Sequence, residues 1–252
     1  MTTSKTLDSL IILNTRPASQ NHKLNQLIKE RGGKAVSLPT LLIHFIDLSF
    51  PISFNLYDTV IFTSANAVVG AKKMRIQNFS SPAVAIGPGT AEAMKVVNLP
   101  VAALPTQFNS EGLLDLPLLK NAHHKKILIF CGKNPRPLLR DELTNRGAEV
   151  TLAPVYERLC PPFNIKEALP ALKQKNIDVI ISTSAESLQN LYHMLTPEGL
   201  PWLKKIPLLV TSKKMEALTK NLTLKQPPII ATGSDDEAVI QALLKWYTTK
   251  KK

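Results

Sequence analysis

Two clusters of hydroxyl residues, Thr63-Ser64 and Ser182-Thr183-Ser184, each end a short apolar run and are each followed by alanine. Hydroxyls beside the unpaired amides of a helix start bind anions, and the same residue types cap helices with no ligand at all. Gly87-Pro88-Gly89-Thr90 reads as a tight strand-to-helix turn in which glycine lets backbone amides approach a ligand closely. It lacks the Gly-Lys-Ser/Thr of a phosphate-binding loop, and no G-x-G-x-x-G is present, so nucleotide binding has little support. Arg16 and Arg136 fall in turns where a guanidinium grips a carboxylate through two parallel hydrogen bonds. Tyr156, followed by Glu157-Arg158, is a residue able to donate a proton to a leaving oxygen. The sequence shows no Ser-His-Asp set and no paired catalytic carboxylates, so hydrolysis has no chemical basis in it.

The elements that must position these residues are written twice. Leu10-Ile11-Ile12-Leu13-Asn14 predicts a strand, and Leu24, Leu27 and Ile28 have helical spacing. Arg31-Gly32 then stops the helix eight residues before Pro39. Ile127-Leu128-Ile129-Phe130-Cys131-Gly132 opens the same pattern, with Leu139, Leu143 and Arg146-Gly147 eight residues before Pro154. Residues 58–68 match residues 178–188 at a constant offset of 120, each a buried strand breaking at Thr-Ser-Ala. Ala83-Val84-Ala85 pairs with Leu208-Leu209-Val210, and Ser110-Glu111-Gly112-Leu113-Leu114 with the stretch from Ser234 to Val239. Alternating strands and helices at this spacing predict parallel sheets covered on both faces, with ligands collecting beyond the carboxyl ends of the strands. Every repeated hydroxyl cluster falls at such an end.

The 252 residues suit two modest domains, and 44% hydrophobic with 20% charged residues describes an ordinary globular chain. Thirty-one Lys plus Arg against nineteen Asp plus Glu leaves +12, which favours an acidic ligand. The surplus is spread rather than blocked: Lys125-Lys126 and residues 248–252 read as loop edge and solvated end. Aromatics are 6%, so nucleic acid is not the expected partner. Cys131 and Cys160 stand alone, and adjacent His123-His124 read as surface loop, so neither a disulfide nor a metal site is expected. Residues 1–9 lack the apolar core of a signal peptide, and no run nears about 18 apolar residues, so we expect a cytoplasmic protein without a membrane span.

Asn14-Thr15-Arg16-Pro17, the Phe62 to Val68 stretch, Ala85-Ile86-Gly87 with Thr90-Ala91, Ser110 to Leu114, and Arg146-Gly147-Ala148 leading to Tyr156 occur in one order along nearly the whole chain. In this the sequence resembles the uroporphyrinogen-III synthase family. The resemblance implies two similar parallel-sheet α/β/α lobes joined by a two-stranded linker. One lobe would be residues 45–152, the other residues 1–38 with 161–252, and the linkers 39–44 and 153–160. It implies a cofactor-free, monomeric enzyme that cyclises linear hydroxymethylbilane to uroporphyrinogen III, with ring D inverted, the polycarboxylate lying between the lobes. Tyr156 then assists hydroxyl loss, and Thr63, Ser64, Thr90, Ser182 and Ser184 hold carboxylates. Gly87, Thr183, Arg16 and Arg136 join the binding set on position. Where some members repeat Gly-x-x-Thr-Ala, this chain reads Thr211-Ser212-Lys213-Lys214-Met215, whose hydroxyls and lysines would serve acidic groups instead. The rival expectation is a hinged two-lobed protein that captures a carboxylated ligand without chemistry.

Overall fold

A computed structural model describes residues 6–48, 56–74 and 81–250, which leaves the terminal Lys251 and Lys252 and residues 1–5 outside the description. In chain order it contains β1 (Ile11–Asn14), α1 (Ala18–Glu30), β2 (Lys34–Ser37), β3 (Leu42–Phe45), β4 (Thr59–Phe62), α2 (Ala65–Lys73), β5 (Ala83–Ala85) and α3 (Pro88–Val96). There follow α4 (Ser110–Leu114), α5 (Pro117–Lys120), β6 (Lys126–Gly132), α6 (Leu138–Asn145), β7 (Glu149–Leu159) and α7 (Ile165–Gln174). The last elements are β8 (Val179–Ile181), α8 (Ala185–Leu195), α9 (Leu200–Leu203), β9 (Leu208–Val210), α10 (Lys213–Thr219), β10 (Ile229–Ile230) and α11 (Asp236–Lys250). The basic residues Lys250 and Lys245 thus ride on α11, with Lys250 Nζ 5.2 Å from the Trp246 ring centre. Among the described residues no helix is long and apolar enough to cross a membrane.

The chain divides into two compact units, Met1–Leu42 with Leu159–Lys252, and Ile43–Arg158. The first holds a five-stranded sheet in the order β10-β9-β8-β1-β2, every pair parallel. The second holds β3-β7-β6-β4-β5, parallel from β7 through β5. The chain passes from one unit to the other on neighbouring strands, after Leu42 in β3 and after Arg158 in β7.

Short apolar strands buried on both faces explain why the sheets are parallel and helix-covered. Side chains alternate across each sheet. Ile12, Val179 and Ile181 enter the core shared with α1 and α11, while Leu13 and Ile180 enter the one shared with α8. In the second unit Val60, Phe62, Leu128 and Phe130 face α2 and α3, and Ile61, Ile127 and Ile129 face α4 and α6. Phe62 and Phe130 stack with ring centres 5.0 Å apart. Each fully buried side chain of this size is worth about 1.5–3 kcal/mol.

The repeat is visible atom by atom. Asp178 accepts the Ile11 amide at 2.9 Å and returns its own amide to Ile11 O at 2.8 Å. Asp58 accepts the Lys126 amide at 2.8 Å and returns its amide to Lys126 O at 2.8 Å. Each aspartate therefore closes the starting edge where β8 meets β1 or β4 meets β6. Gly32 and Gly147 both end their helices at φ +82°, a conformation that side-chain-bearing residues adopt only with strain. In one pairing the sequence comparison is two residues out of register. The cap of α4 is Asn109, accepting the Gly112 amide at 2.7 Å, and its counterpart is Asp235, accepting the Ala238 amide at 2.9 Å, rather than Ser110 and Ser234.

Candidate active site

Beyond the carboxyl ends of the strands, each unit presents a row of helix starts. Ser64 caps α2 by accepting the Ala67 amide at 3.1 Å, and Ser184 caps α8 by accepting the Ser187 amide at 3.1 Å. Ser212 caps α10 with the Met215 amide at 3.2 Å. Gly87 precedes α3, with Pro88 in the first turn and no side-chain cap. A Cβ on Gly87 would lie 3.2 Å from Phe108 Cβ, a tight contact that the exposed phenylalanine would have to yield to, whereas Gly89 faces open space. Helix starts of this kind carry unpaired N–H groups and favour anions.

Hydroxyl protons separate the predicted contacts further. Thr63 Oγ1 donates to Phe130 O at 3.1 Å, and Thr211 Oγ1 donates to Thr183 O at 3.1 Å. Ser182, fully buried, points its hydroxyl at Ser184 O at 3.4 Å. Among the described residues the hydroxyls of Thr183, Ser184 and Ser212 give their protons to no acceptor, which leaves them able to donate to a carboxylate. Lys213 and Lys214 are exposed beside Ser212.

Tyr156 lies near the end of β7 and is 4% exposed. Its Oη accepts a hydrogen bond from Ser64 Oγ at 3.0 Å. Its ladder partner is Gly132, at a point where the β6–β7 register shifts. A Cβ on Gly132 would sit 3.1 Å from Tyr156 Cζ and 3.3 Å from Oη, so glycine leaves the phenol end its room. Next to it, Glu157 forms an ion pair with Lys133 at 2.8 Å, which holds its carboxyl below the usual range, with His44 adding to the effect.

Of three further predicted contacts, Arg16 and Thr90 are buried and Arg136 is exposed. Arg16 is not an exposed loop arginine: its guanidinium is 8% exposed, pairs with Asp236 at the start of α11, and donates to Ser234 O. Arg136 makes the corresponding pair with Glu111 in the first turn of α4 at 3.1 Å, but in the open, with 67% of its side chain exposed. Thr90 is 5% exposed, close to the 4% of Tyr156, and Met215 stands at the matching place in the other unit. Sequence reasoning passed over Asn109, and it quoted Gly132 and Asp235 only as parts of the repeat, with no role. It quoted Asp58 and Asp178 without a role, although their recurrence at the head of both copied strands was the available signal.

Burial pushes the Cys131 thiol up to about 11, which leaves it unreactive at neutral pH. Among the described residues no group of three or more His, Cys, Asp or Glu is placed to hold a metal ion. His123 and His124 are exposed, with rings edge to face at 3.8 Å.

A family model described as Uroporphyrinogen-III synthase HemD matches residues 22–241. Uroporphyrinogen-III synthase of Salmonella typhimurium strain LT2 is 30% identical over 247 residues, spanning 92% of this chain and 99% of that protein. The Escherichia coli K12 enzyme of the same name is 34% identical over 162 residues, 63% of this chain and 65% of that protein. The crystal structure of uroporphyrinogen-III synthetase from Helicobacter pylori 26695 superposes with a TM-score of 0.65 at 18% identity, covering 94% of this chain and 99% of that one. A mutant uroporphyrinogen III synthase from the extremely thermophilic bacterium Thermus thermophilus gives 0.59 at 18% identity, covering 97% and 100%. At that identity the structures speak for the fold alone. The family match spans most of the chain and both sheets, and this protein therefore belongs to the uroporphyrinogen-III synthase family.

Proposed function

We infer that this chain is a cyclising hydro-lyase of heme biosynthesis, converting linear hydroxymethylbilane to uroporphyrinogen III with loss of water. The observation that carries the assignment is the family match over residues 22–241, joined to a relative aligned along 99% of its length. We place the enzyme in the cytoplasm as a monomer acting on a free polycarboxylate, in keeping with a charge of +12 spread over the chain.

The chemistry asks little of side chains and much of positioning. Tyr156 donates its phenolic proton to the substrate hydroxyl, the C–O bond breaks with its electrons leaving on water, and the pyrrole nitrogen stabilises the azafulvene that remains. The substituted end of ring D attacks this carbon, and the resulting spiro intermediate reopens and closes inverted. The proton returns to the tyrosine when the last ring regains its aromaticity. Holding the bilane so that this attack outpaces closure to the type I isomer is a matter of orientation. We propose Thr183, Ser184 and Ser212 as carboxylate donors, assisted by Lys213 and Lys214 and by the backbone amides at the starts of α2 and α3, after Thr63-Ser64 and Gly87. Thr211 steadies Thr183 from the next strand. Arg16, paired with Asp236, Arg136, paired with Glu111, and Ser182, with no exposed surface, serve as framework in this reading, whereas Thr90, in the first turn of α3, stays among the carboxylate contacts.

Purified protein supplied with hydroxymethylbilane by a coupled source should yield the type III isomer, resolved from type I by chromatography. Type I alone would overturn the assignment, and binding without turnover would favour the ligand-capture alternative.

A further inference from the structure

Ser64 and Ser184 occupy matching places and cap matching helices, yet only Ser64 meets a tyrosine. The first unit reads Leu38-Pro39-Thr40-Leu41 beyond β2, and there Thr40 is fully buried, donating to Thr15 O and Ser187 O. A serine hydroxyl has one proton. Ser64 Oγ accepts the Ala67 amide and directs its proton at Tyr156 Oη, and in this arrangement the tyrosine's single proton is left to be given elsewhere. The three groups form a one-way chain from helix amide to serine hydroxyl to phenol. A hydroxyl that accepts a hydrogen bond becomes a stronger donor in turn.

We propose that Ser64 is a positioning residue for proton transfer and not a carboxylate contact: it fixes Tyr156 as donor toward the substrate, with Gly132 keeping the phenol end clear. The inference rests on the reading of Tyr156 as the proton donor. As that proton moves to the substrate hydroxyl and the C–O electron pair leaves with water, the tyrosine is left as phenolate. The hydrogen bond from Ser64 persists and strengthens as the charge develops, so it stabilises the transition state more than the ground state. When a ring carbon later gives up its proton, the phenolate is the base that recovers it.

The test measures turnover, KM and isomer ratio for Ser64→Ala, Ser64→Thr, Gly132→Ala, Tyr156→Phe and the Ser64→Ala/Tyr156→Phe double variant, with thermal unfolding of each. The expected loss in kcat for Ser64→Ala is about tenfold with KM nearly unchanged. Threonine, which both caps and donates, should restore most of it. In the Tyr156→Phe background the Ser64 change should cost nothing further in kcat, because its acceptor is gone. Gly132→Ala should lower kcat through displacement of the ring. A rise in KM for Ser64→Ala, or losses that multiply in the double variant, would make Ser64 a substrate contact and overturn the proposal. If Tyr156→Phe turns over at full rate while the wild type makes type III product, the assignment of Tyr156 fails and this proposal with it, whereas the family function stands. If Tyr156→Phe is slow and Ser64→Ala is not, only the positioning role fails.

Discussion

The two units are one design with its halves in opposite chain order. In the first, the half made of β1, α1 and β2 comes first and pairs through β1 with β8. In the second, the matching half of β6, α6 and β7 comes last and pairs through β6 with β4. What both keep is the local geometry of the repeat: aspartates at the strand edge, glycines with positive φ after the first helix, and serines at helix starts. What differs lies at the rim. The first unit has hydroxyls at Thr183, Ser184 and Ser212 that, among the described residues, give their protons to no acceptor, with two exposed lysines. The second has the phenol of Tyr156, aimed by Ser64 and given room by Gly132. The two copies thus share a backbone scaffold and differ in the side chains at its rim.

The sharpest way to break that comparison is at the two arginine pairs. Arg16→Ala leaves a largely buried Asp236 with only the long contact to Lys23 and should cost about 3 kcal/mol, whereas Arg136→Ala, at an exposed pair, should leave stability nearly unchanged. Urea unfolding of the two variants reads the difference directly, and equal losses would mean the burial contrast carries no energy.

Smaller effects are expected where the copies agree. Gly32→Ala and Gly147→Ala should each destabilise by about 1–2 kcal/mol, since both hold positive φ. A Cβ at Gly32 would come within 2.1 Å of Asp8 Oδ1 and one at Gly147 within 2.7 Å of His123 Cδ2, so the first should be the larger. Thermal melts of the pair test whether the repeated turn imposes a repeated cost.

The smallest effect concerns the buried thiol of the second unit. Cys131 is protonated in the folded state up to about 11, from an ordinary value of 9.0. The unfolded chain loses that proton first, so the thiol's contribution is complete below about pH 9 and disappears as pH rises toward 11. Alkaline unfolding of Cys131→Ser should lack this slope, worth about 1 kcal/mol after allowing for incomplete burial. In native protein at neutral pH a thiol reagent should label Cys160 well before Cys131, because the first is partly exposed and the second is not.

Much of this was legible in the chain itself, because it depended on local patterns that physical chemistry restricts. Four-residue apolar runs such as Thr59–Phe62, broken by Thr-Ser, predict buried parallel strands leading into capped helices, and Ser64, Ser184 and Ser212 cap as their types require. Arg-Gly before proline marked helix ends, and both glycines took the left-handed conformation. The order of motifs pointed to the family. Tertiary structure alone decided which polar groups remain free. Arg16 and Arg136 both precede a proline at a helix start, yet one is sealed against Asp236 and the other stands in solvent. Thr90 and Thr183 are the same residue type, but the first is 5% exposed and the second is only partly buried. The pairing of Ser64 with Tyr156 joins residues 92 positions apart, and Gly132 acquires its role only because β6 and β7 meet there. Residue type and spacing determine the backbone a segment adopts, while the partner of a hydroxyl or a guanidinium is set by what other strands bring within about 3 Å of it.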